Sequence, residues 1–323
     1  MIRARFALQT LIAIAAVAAT AASGQAYPAR PIHVVVPYMA GTGVDTLART
    51  LAEPLGKRMG QSVVVENKPG ASGNIGTEYV AKSPADGYTV LLTSNSFVIV
   101  PAFANALSFD PVADFAPVGG VAVGTLALVV HPSLGVSSVA ELIALAKRQP
   151  GQLNYASPGN GTPHHLAMEL FKQSAGVDIV HISYKGSSGA VIDVVSGRVP
   201  MMILAMPLVL PYAATGKLKV LAVLGDKRSP QAPDVPTFRE AGVENYSVDL
   251  WYSLFAPAHT PRDIVNRLQR EFATLLADPE LRESLTRQGL IPASSTPDEL
   301  SSLVRKELVT WRKLVKDAKI TAD

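Results

Sequence analysis

The chain has 323 residues, no cysteine, and 29 Lys plus Arg against 26 Asp plus Glu. A net charge of +3 without a basic stripe excludes the electrostatic footprint of a nucleic-acid-binding protein. The lack of cysteine excludes disulfides and a lipidated cysteine anchor, so the core alone must stabilise the fold. This length allows one large domain or two smaller ones.

The first 26 residues predict a cleavable secretory signal peptide. Arg3 and Arg5 precede an apolar run from Phe6 to Ala22, and small residues follow up to Ala26. A membrane anchor is the alternative, but the run is short for a span and is interrupted by polar residues. We therefore expect a soluble mature protein in a bacterial periplasm.

After the signal, short β-branched runs alternate with amphipathic helical runs. Between the first two strands, apolar residues from Val44 to Met59 recur at helical spacing. The predicted strands, in chain order, are 31–37, 62–66, 88–94, 124–132, 153–157, 178–184, 199–204, 217–224 and 251–257. A Pro-rich loop spans 225–242, and Thr260-Pro261 and Thr296-Pro297 each begin a C-terminal helix. Alternating strands and helices predict an α/β protein with mostly parallel sheets.

Four segments place a Gly-rich polar turn between a strand and a helix: 37–48, 67–81, 157–167 and 183–195. Unpaired N–H groups and the helix dipole at such a turn attract an anion. No turn ends in the Gly-Lys-Ser/Thr of a nucleotide triphosphate loop, so a carboxylate is favoured. A single turn of this kind is more simply interpreted as chain reversal. Four such turns, two in each half of the chain, favour a cleft whose two sides close on one small anion.

Other chemistry finds less support in the sequence. Gly41-Thr42-Gly43 resembles a dinucleotide fingerprint, but position 46 is Thr where the third glycine belongs. His164 and His165 are adjacent and therefore point about 100° apart on a helix, which is unsuited to chelation. We expect no cofactor and no metal.

Three positions allow a structural and a functional interpretation. Asp45 could order the turn before its helix or contact the ligand, and we leave these two roles open. Trp251 and Tyr252 begin a strand and could pack in the core or line a cleft. Ser157 does not stand in a G-x-S-x-G elbow, and no spacing identifies a catalytic triad, so catalysis is not indicated.

Six motifs, in one order across nearly the whole mature chain, carry a resemblance to a known family. They are PYMAGTGVDTLAR, VVENKPGASGNIGTEYVAKSPADGYT, LNYASPGNGTPHHLAMELFKQSAGVDIVHISYKG, GKLKVLAV, PDVPTFREAG and LFAPAHTP. The chain resembles the Bug (TctC-type) solute receptors of tripartite tricarboxylate transporters. The resemblance implies a type II periplasmic-binding-protein fold, with two α/β lobes and a ligand cleft between them. Lobe 1 would comprise 27–125 plus 250–323 and lobe 2 would comprise 126–249, with hinge crossings near 124–130 and 247–255.

The resemblance also implies a ligand site. In the family, main-chain groups of the first-lobe loops hold a ligand carboxylate, partly through water, and second-lobe loops close from the other side. The corresponding first-lobe residues here are Tyr38, Ala40, Gly41, Thr42, Gly43, Asp45, Ser72, Gly73, Asn74, Ile75, Thr93, Ser94 and Asn95. The corresponding second-lobe residues are Ser157, Asn160, Gly161, Thr162, His164, Tyr184, Lys185 and Gly186.

Two departures from the family pattern bear on the ligand. Thr42 stands where members usually have Gly, which changes the shape of the first socket. Leu204 and Ala205 stand where many members have Asp, often with a neighbouring Asn, so a polar contact to the distal part of the ligand is expected to be missing. We therefore expect a carboxylate with an apolar or aromatic remainder as the preferred ligand.

The function that the resemblance implies is capture of a small organic carboxylate and its delivery to the membrane permease subunits of a tripartite transporter. We expect a monomer that binds no nucleic acid and is not an enzyme. Two alternatives stay open: an exported enzyme acting on a small carboxylate in the same cleft, and a ligand-binding sensor subunit for a two-component system.

Overall fold

A computed structural model describes residues 27–103, 107–184, 186–244, 246, 248–317 and 320. The predicted signal peptide, 1–26, and the predicted ligand residue Lys185 lie outside the described residues. Within the described ranges, no helix is both long and apolar enough to cross a bilayer.

The first part of the chain alternates strands and helices as predicted. Its elements are β1 (Ile32–Val36), α1 (Gly43–Met59), β2 (Val63–Asn67), a 3-10 turn (Ala71–Gly73), α2 (Asn74–Ala81), β3 (Thr89–Ser94), α3 (Ser96–Phe103) and β4 (Phe115–Gly124). The residues that recur at helical spacing in α1, from Val44 to Met59, are buried, which confirms that helix. Gly60 ends it in the left-handed conformation, with φ 70°, which glycine adopts without steric cost.

The middle part of the chain builds a second group of elements. They are β5 (Leu126–Val130), a 3-10 turn (Pro132–Leu134), α4 (Val139–Arg148), β6 (Asn154–Ser157), α5 (Pro163–Ala175), β7 (Val180–Ser183), α6 (Ser187–Val195), β8 (Met201–Ala205), α7 (Met206–Ala214) and β9 (Lys219–Val223). The last part comprises β10 (Leu250–Pro257), α8 (Arg262–Leu276), α9 (Pro279–Arg287), β11 (Leu290–Pro292) and α10 (Pro297–Asp317).

The strands form two sheets. The six-stranded sheet has the order β11-β4-β10-β3-β1-β2, and the five-stranded sheet has the order β7-β6-β8-β5-β9. Parallel pairs join β2, β1 and β3, and also β7, β6 and β8, whereas β10, β4, β11, β5 and β9 join by antiparallel pairs. The expectation of mostly parallel sheets is therefore wrong: both sheets are mixed. The strands at which the chain leaves one sheet or returns to it are antiparallel to the strands that they pair with.

The predicted strand 124–132 is two elements. β4 ends at Gly124 in the first sheet, and β5 begins at Leu126 in the second, so the chain changes sheets at Thr125. The Thr125 carbonyl accepts the Met206 amide at 2.9 Å, and the Leu126 carbonyl accepts the Leu224 amide at 2.8 Å. These bonds pin the crossing point to the second sheet. The chain returns to the first sheet at Leu250, the start of β10.

Candidate functional site

A cluster of neutral hydroxyl groups lies at the carboxyl end of β3. The Tyr38 hydroxyl is 3.1 Å from Thr93 Oγ1 and 3.1 Å from Ser94 Oγ. Ser94 Oγ donates in turn to Ser96 Oγ at 3.4 Å. The structure thus brings together three residues that the sequence predicts for the site, and it joins them through their side chains.

Tyr252 extends this cluster toward the first Gly-rich turn. In the sheet, Tyr252 is the register partner of both Ser94 and Ala122. A Cβ built on Gly43 would lie 3.3 Å from the Tyr252 hydroxyl, so that phenol sits against the start of α1. Burial, together with the proximity of Tyr38, raises the pKa of Tyr252 and keeps it a neutral hydrogen-bonding group. The sequence had offered both core packing and cleft lining for Tyr252; its side chain is buried, and its hydroxyl reaches the turn.

Asp45 orders the Gly41 turn. Its Oδ2 accepts the Gly41 amide at 2.8 Å, and its Oδ1 accepts Asn67 Nδ2 at 2.9 Å and Arg49 Nε at 3.0 Å. The residue is 3% exposed. Burial raises its pKa, but the hydrogen bonds from Arg49, Gly41 and Asn67 outweigh that effect and lower it. Among the described residues, the hydrogen bonds of this carboxylate stay within the turn and the residues that support it, which favours the ordering role over ligand contact.

The start of α1 has no side-chain cap. Thr42 stands at the N-cap position in extended conformation, but its hydroxyl donates to the Met39 carbonyl at 2.9 Å instead of accepting a first-turn amide. The first amides of a helix have no partner inside the helix. With no capping oxygen from Thr42, this N-terminus keeps the donors and the partial positive charge that suit an anion.

The other predicted ligand loop of the first lobe, which contains the 3-10 turn Ala71–Gly73, packs on Tyr38. A Cβ built on Gly73, where φ is 98°, would lie 3.1 Å from the Tyr38 ring, so only glycine fits there. Ser72 is in the left-handed conformation with φ 56°. The Asn74 and Ile75 amides donate to the carbonyls of Ala71 and Gly70, so the 3-10 turn already uses these donors.

The second-lobe loop before α5 satisfies its own amides. Ser157 Oγ accepts the Gly159 amide at 3.1 Å, His165 Nδ1 accepts the Gly161 amide at 3.1 Å, and Thr162 Oγ1 accepts the His165 amide at 3.3 Å. The expectation that this turn offers unpaired N–H groups to an anion is therefore wrong for these amides, because side chains of the same lobe bind them.

The loop containing Tyr184 lies against the loop before α5. The Tyr184 amide donates to the Ser157 carbonyl at 3.0 Å, and the Gly186 amide donates to the Pro158 carbonyl at 2.8 Å. The Tyr184 hydroxyl donates to Asp193 at 2.7 Å. The two predicted second-lobe loops thus form one surface.

The two lobes approach each other at helix α3. A Cβ built on Gly161 would lie 3.5 Å from the ring of Phe103, the last residue of α3. The same helix packs against the 3-10 turn Ala71–Gly73 of the first lobe. The Gly161 turn and the Gly73 turn therefore border one helix, as loops on the same cleft would. Phe103 was missed by sequence reasoning because nothing in its local pattern distinguishes it from a core residue.

Other predicted residues occupy less direct positions. Leu204 is 0% exposed and belongs to the apolar cluster of the second sheet, whereas Ala205 is half-buried at the start of α7. Asn95 donates to the Asp249 carbonyl at 3.0 Å, and its buried Oδ1 has no protein partner among the described residues. The buried Nδ1 of His164 also has none there, and burial lowers its pKa to about 4.

One contact has the composition of a nucleophile–base pair. Ser157 Oγ lies 2.6 Å from His181 Nε2. Ser157 is 0% exposed, however, and its Oγ also bonds within its own loop, so it holds the loop rather than facing a cleft. Across the described ranges, no group of three or more His, Asp or Glu side chains could hold a metal ion.

Comparison with known proteins assigns the chain to a family. The model of the tripartite tricarboxylate transporter family receptor, TctC, matches residues 47–320. The chain belongs to this family. BugT of Bordetella pertussis is 38% identical over 308 residues, covering 95% of this chain and 94% of BugT. A protein encoded between tcbD and tcbE in Pseudomonas sp. strain P51 is 37% identical over 299 residues, covering 92% and 89%.

Solved structures of TctC-type receptors share the fold. Rpa4515 of R. palustris with adipate has a TM-score of 0.82 and 36% identity, covering 92% of this chain and all of that chain. MatC of Rhodopseudomonas palustris with bound malate has a TM-score of 0.77 and 29% identity, covering 90% and 100%. The chain therefore has the type II periplasmic-binding-protein fold expected from its sequence, with two α/β lobes and the ligand cleft between them.

Proposed function

We propose that this chain is a periplasmic receptor that captures a small organic carboxylate between its two lobes and delivers it to the permease subunits of a tripartite transporter. The observation that carries the proposal is the uncapped start of α1 beside the hydroxyl groups of Tyr38, Thr93 and Ser94. The carboxylate of this turn, Asp45, is already bonded within the turn, so this corner offers neutral donors to an incoming anion.

The lobes are proposed to divide at 125/126 and 249/250. Each sheet then falls wholly within one lobe, since the first sheet uses strands up to Gly124 and from Leu250 onward. The first-lobe turns would bind the carboxylate, and the second-lobe loops would close over the rest of the ligand. Closure would be driven by contacts that the ligand makes only in the closed state. The predicted signal peptide would take the chain to the periplasm.

The ligand class is proposed to be a carboxylate with an apolar or aromatic remainder. Ala205, at the start of α7, supplies no polar group where the family resemblance implies one in many members, and Leu204 is buried in the core of the second sheet. Relatives whose structures contain adipate and malate show that carboxylates of different polarity suit this family. Adipate carries a second carboxylate beyond its four methylene groups, and malate carries a second carboxylate and a hydroxyl group, so a monocarboxylate fits the proposal better than either.

A thermal-shift screen tests this function. The mature chain would be incubated with adipate, with aliphatic and aromatic monocarboxylates, and with malate, aspartate and citrate. Binding stabilises the fold by RT ln(1 + [L]/Kd), about 2.7 kcal/mol at a hundredfold excess over Kd. We expect stabilisation by the acids with apolar remainders. Stabilisation by aspartate or citrate, with none by the aliphatic or aromatic monocarboxylates, would refute the ligand class, and stabilisation by no carboxylate would refute the function.

A matched pair of variants makes the screen specific for the site. Tyr38→Phe removes the hydroxyl that bonds Thr93 and Ser94, whereas Tyr27→Phe removes a hydroxyl that donates to Gly87, outside the predicted site. We expect only the first to reduce the ligand-induced shift. Mass spectrometry of a ligand released by denaturation then separates a receptor from an enzyme, because a receptor returns its ligand unchanged.

A further inference from the structure

The second-lobe loop is attached to a stack of three rings. The His165 and His181 ring centroids lie 4.0 Å apart with planes at 12°, and Tyr155 stacks on His181 at 4.8 Å. The three rings come from three elements, α5, β7 and β6. Tyr155 and His165 are buried, and the Tyr155 hydroxyl donates to Glu169 at 2.6 Å.

Each imidazole in this stack holds one end of the loop. His181 Nε2 lies 2.6 Å from Ser157 Oγ, where β6 ends. His165 Nδ1 accepts the Gly161 amide at 3.1 Å, just before α5 begins. A nitrogen that accepts an N–H bond carries no proton, so this contact requires a neutral His165 with its proton on Nε2.

The surroundings keep His165 in that form. Burial, together with the nearby His181 and Lys172, lowers the pKa of His165 to about 3. Glu169 is a further charged group beside the stack; it binds both the Tyr155 hydroxyl and, at 2.7 Å, Lys172 Nζ. The imidazole is therefore a permanent acceptor at ordinary pH.

We propose that His165 is a positioning residue for ligand closure: its Nδ1 fixes the Gly161 amide, and so sets the turn that meets Phe103 of the opposite lobe. Gly161 has φ 70° and lies where its Cβ would be 3.5 Å from the Phe103 ring. A shift of this amide would move the part of the second lobe that approaches the first. Only the effect on ligand closure rests on the proposed function, because the hydrogen bond that positions the Gly161 amide is present without ligand.

The first test uses no ligand. Amide hydrogen exchange of Gly161 is measured by NMR in the wild type, in His165→Phe and in His165→Asn. Phe keeps a flat ring to stack on His181 but has no acceptor, whereas the Asn Oδ1 stands in the place of His Nδ1. Loss of one hydrogen bond predicts roughly tenfold faster exchange in H165F and near-normal exchange in H165N. Unchanged exchange in H165F, or equal loss in both variants, would overturn the proposal.

A control variant removes a similar bond elsewhere. His131 Nδ1 accepts the Ser133 amide at 3.2 Å in a turn that contains no predicted site residue. His131→Phe should leave Gly161 exchange unchanged. If H165F does not fold, the wild type alone still tests the proposal. An NMR spectrum that correlates the His165 ring nitrogens with their protons must show Nδ1 without a proton. A protonated Nδ1 would overturn the proposal.

The second test measures affinity for adipate, or for whichever acid stabilises the wild type most in the screen, by calorimetry. We expect Kd to rise roughly tenfold in H165F, to recover in H165N and to stay unchanged in H131F. An unchanged Kd in H165F would show that the bond does not serve binding. If no acid binds the wild type, the proposed function fails, while the exchange experiment still judges the positioning.

Discussion

Both tryptophans of the chain donate to a single carboxylate oxygen. Trp251 Nε1, on β10, lies 3.0 Å from Glu307 Oε2, and Trp311 Nε1, on α10, lies 3.2 Å from the same atom. Burial raises the pKa of Glu307 to about 7, although the two indole bonds lower it. We predict that Glu307→Gln removes a contribution of this carboxyl group that lowers the free energy of unfolding as pH rises toward 7.

The sign follows from proton linkage. The ordinary pKa of this carboxyl group is 4.5, so between about 4.5 and 7 the folded state holds a proton that the unfolded state has released. The free energy of unfolding therefore falls as pH rises through that window. At 1.36 kcal/mol per pKa unit, the loss is on the order of 2–3 kcal/mol between pH 5 and pH 8. For a chain of this size that corresponds to roughly 5 °C in Tm.

Other groups titrate in the same range with the opposite sign. Burial lowers the pKa of His164 to about 4 and that of His165 to about 3, both from 6.5, so these groups add stability as pH rises toward 6.5. The wild-type curve alone cannot isolate Glu307. The difference in Tm between wild type and E307Q, measured at pH 5, 6, 7 and 8, removes the histidine contribution because both proteins share it.

Intrinsic fluorescence gives an independent readout. Excitation moves indole electron density away from the pyrrole ring, so a negative charge beside Nε1 lowers the energy of the excited state. Emission of the wild type should shift to longer wavelength as Glu307 ionises near pH 7, and E307Q should show no such shift. A Tm difference that is constant from pH 5 to pH 8, with parallel emission curves, would refute the reasoning.

Three further predictions concern the loops. Asp45→Ala should lower the unfolding free energy by about 2–4 kcal/mol in denaturant titration, since it leaves buried donors unpaired; the effect should shrink below pH 4, because the lowered pKa means that this stabilisation is lost on acidification. Tyr38→Phe should weaken binding of the selected carboxylate roughly tenfold by calorimetry, with little change in Tm without ligand. Gly161→Ala should cost about 1 kcal/mol in Tm measurements because φ is 70°, and should weaken binding further by disturbing the approach to Phe103.

The alternation of strands and helices was readable from the sequence because each element carries its own periodicity. Of β4, only its last residue, Gly124, lies in a predicted strand, because Pro117, Gly119 and Gly120 obscure the strand pattern of the rest. Its glycines have a spatial reason: a Cβ on Gly119 would lie 2.6 Å from the Ser295 carbonyl oxygen. Such a close approach joins residues far apart in sequence, so no local rule reveals it. The same limit hides the change of sheets at Thr125.

The candidate site shows this limit more sharply. Thr42 and Thr162 both follow a glycine at the start of a helix, and the sequence assigns them the same role. In the structure Thr162 accepts an amide of its own helix, whereas Thr42 caps nothing. The partner of the Gly161 amide, His165, was recognised only as a helical neighbour of His164. Which turn keeps its donors free depends on side-chain geometry, which composition and spacing do not determine.

This difference between the two turns suggests that they have different roles in ligand binding by the proposed receptor. The α1 turn keeps a free helix start beside neutral hydroxyl groups, so it suits the anionic head shared by all carboxylates. In the loop before α5, amides are already hydrogen-bonded to the side chains of Ser157, His165 and Thr162. The loop is therefore ordered before ligand binds, and closure carries little further entropy cost for ordering it. Changes in the first turn should therefore affect every ligand alike. Changes in the second loop should instead alter the dissociation rate and discriminate among ligands by the size of their remainder.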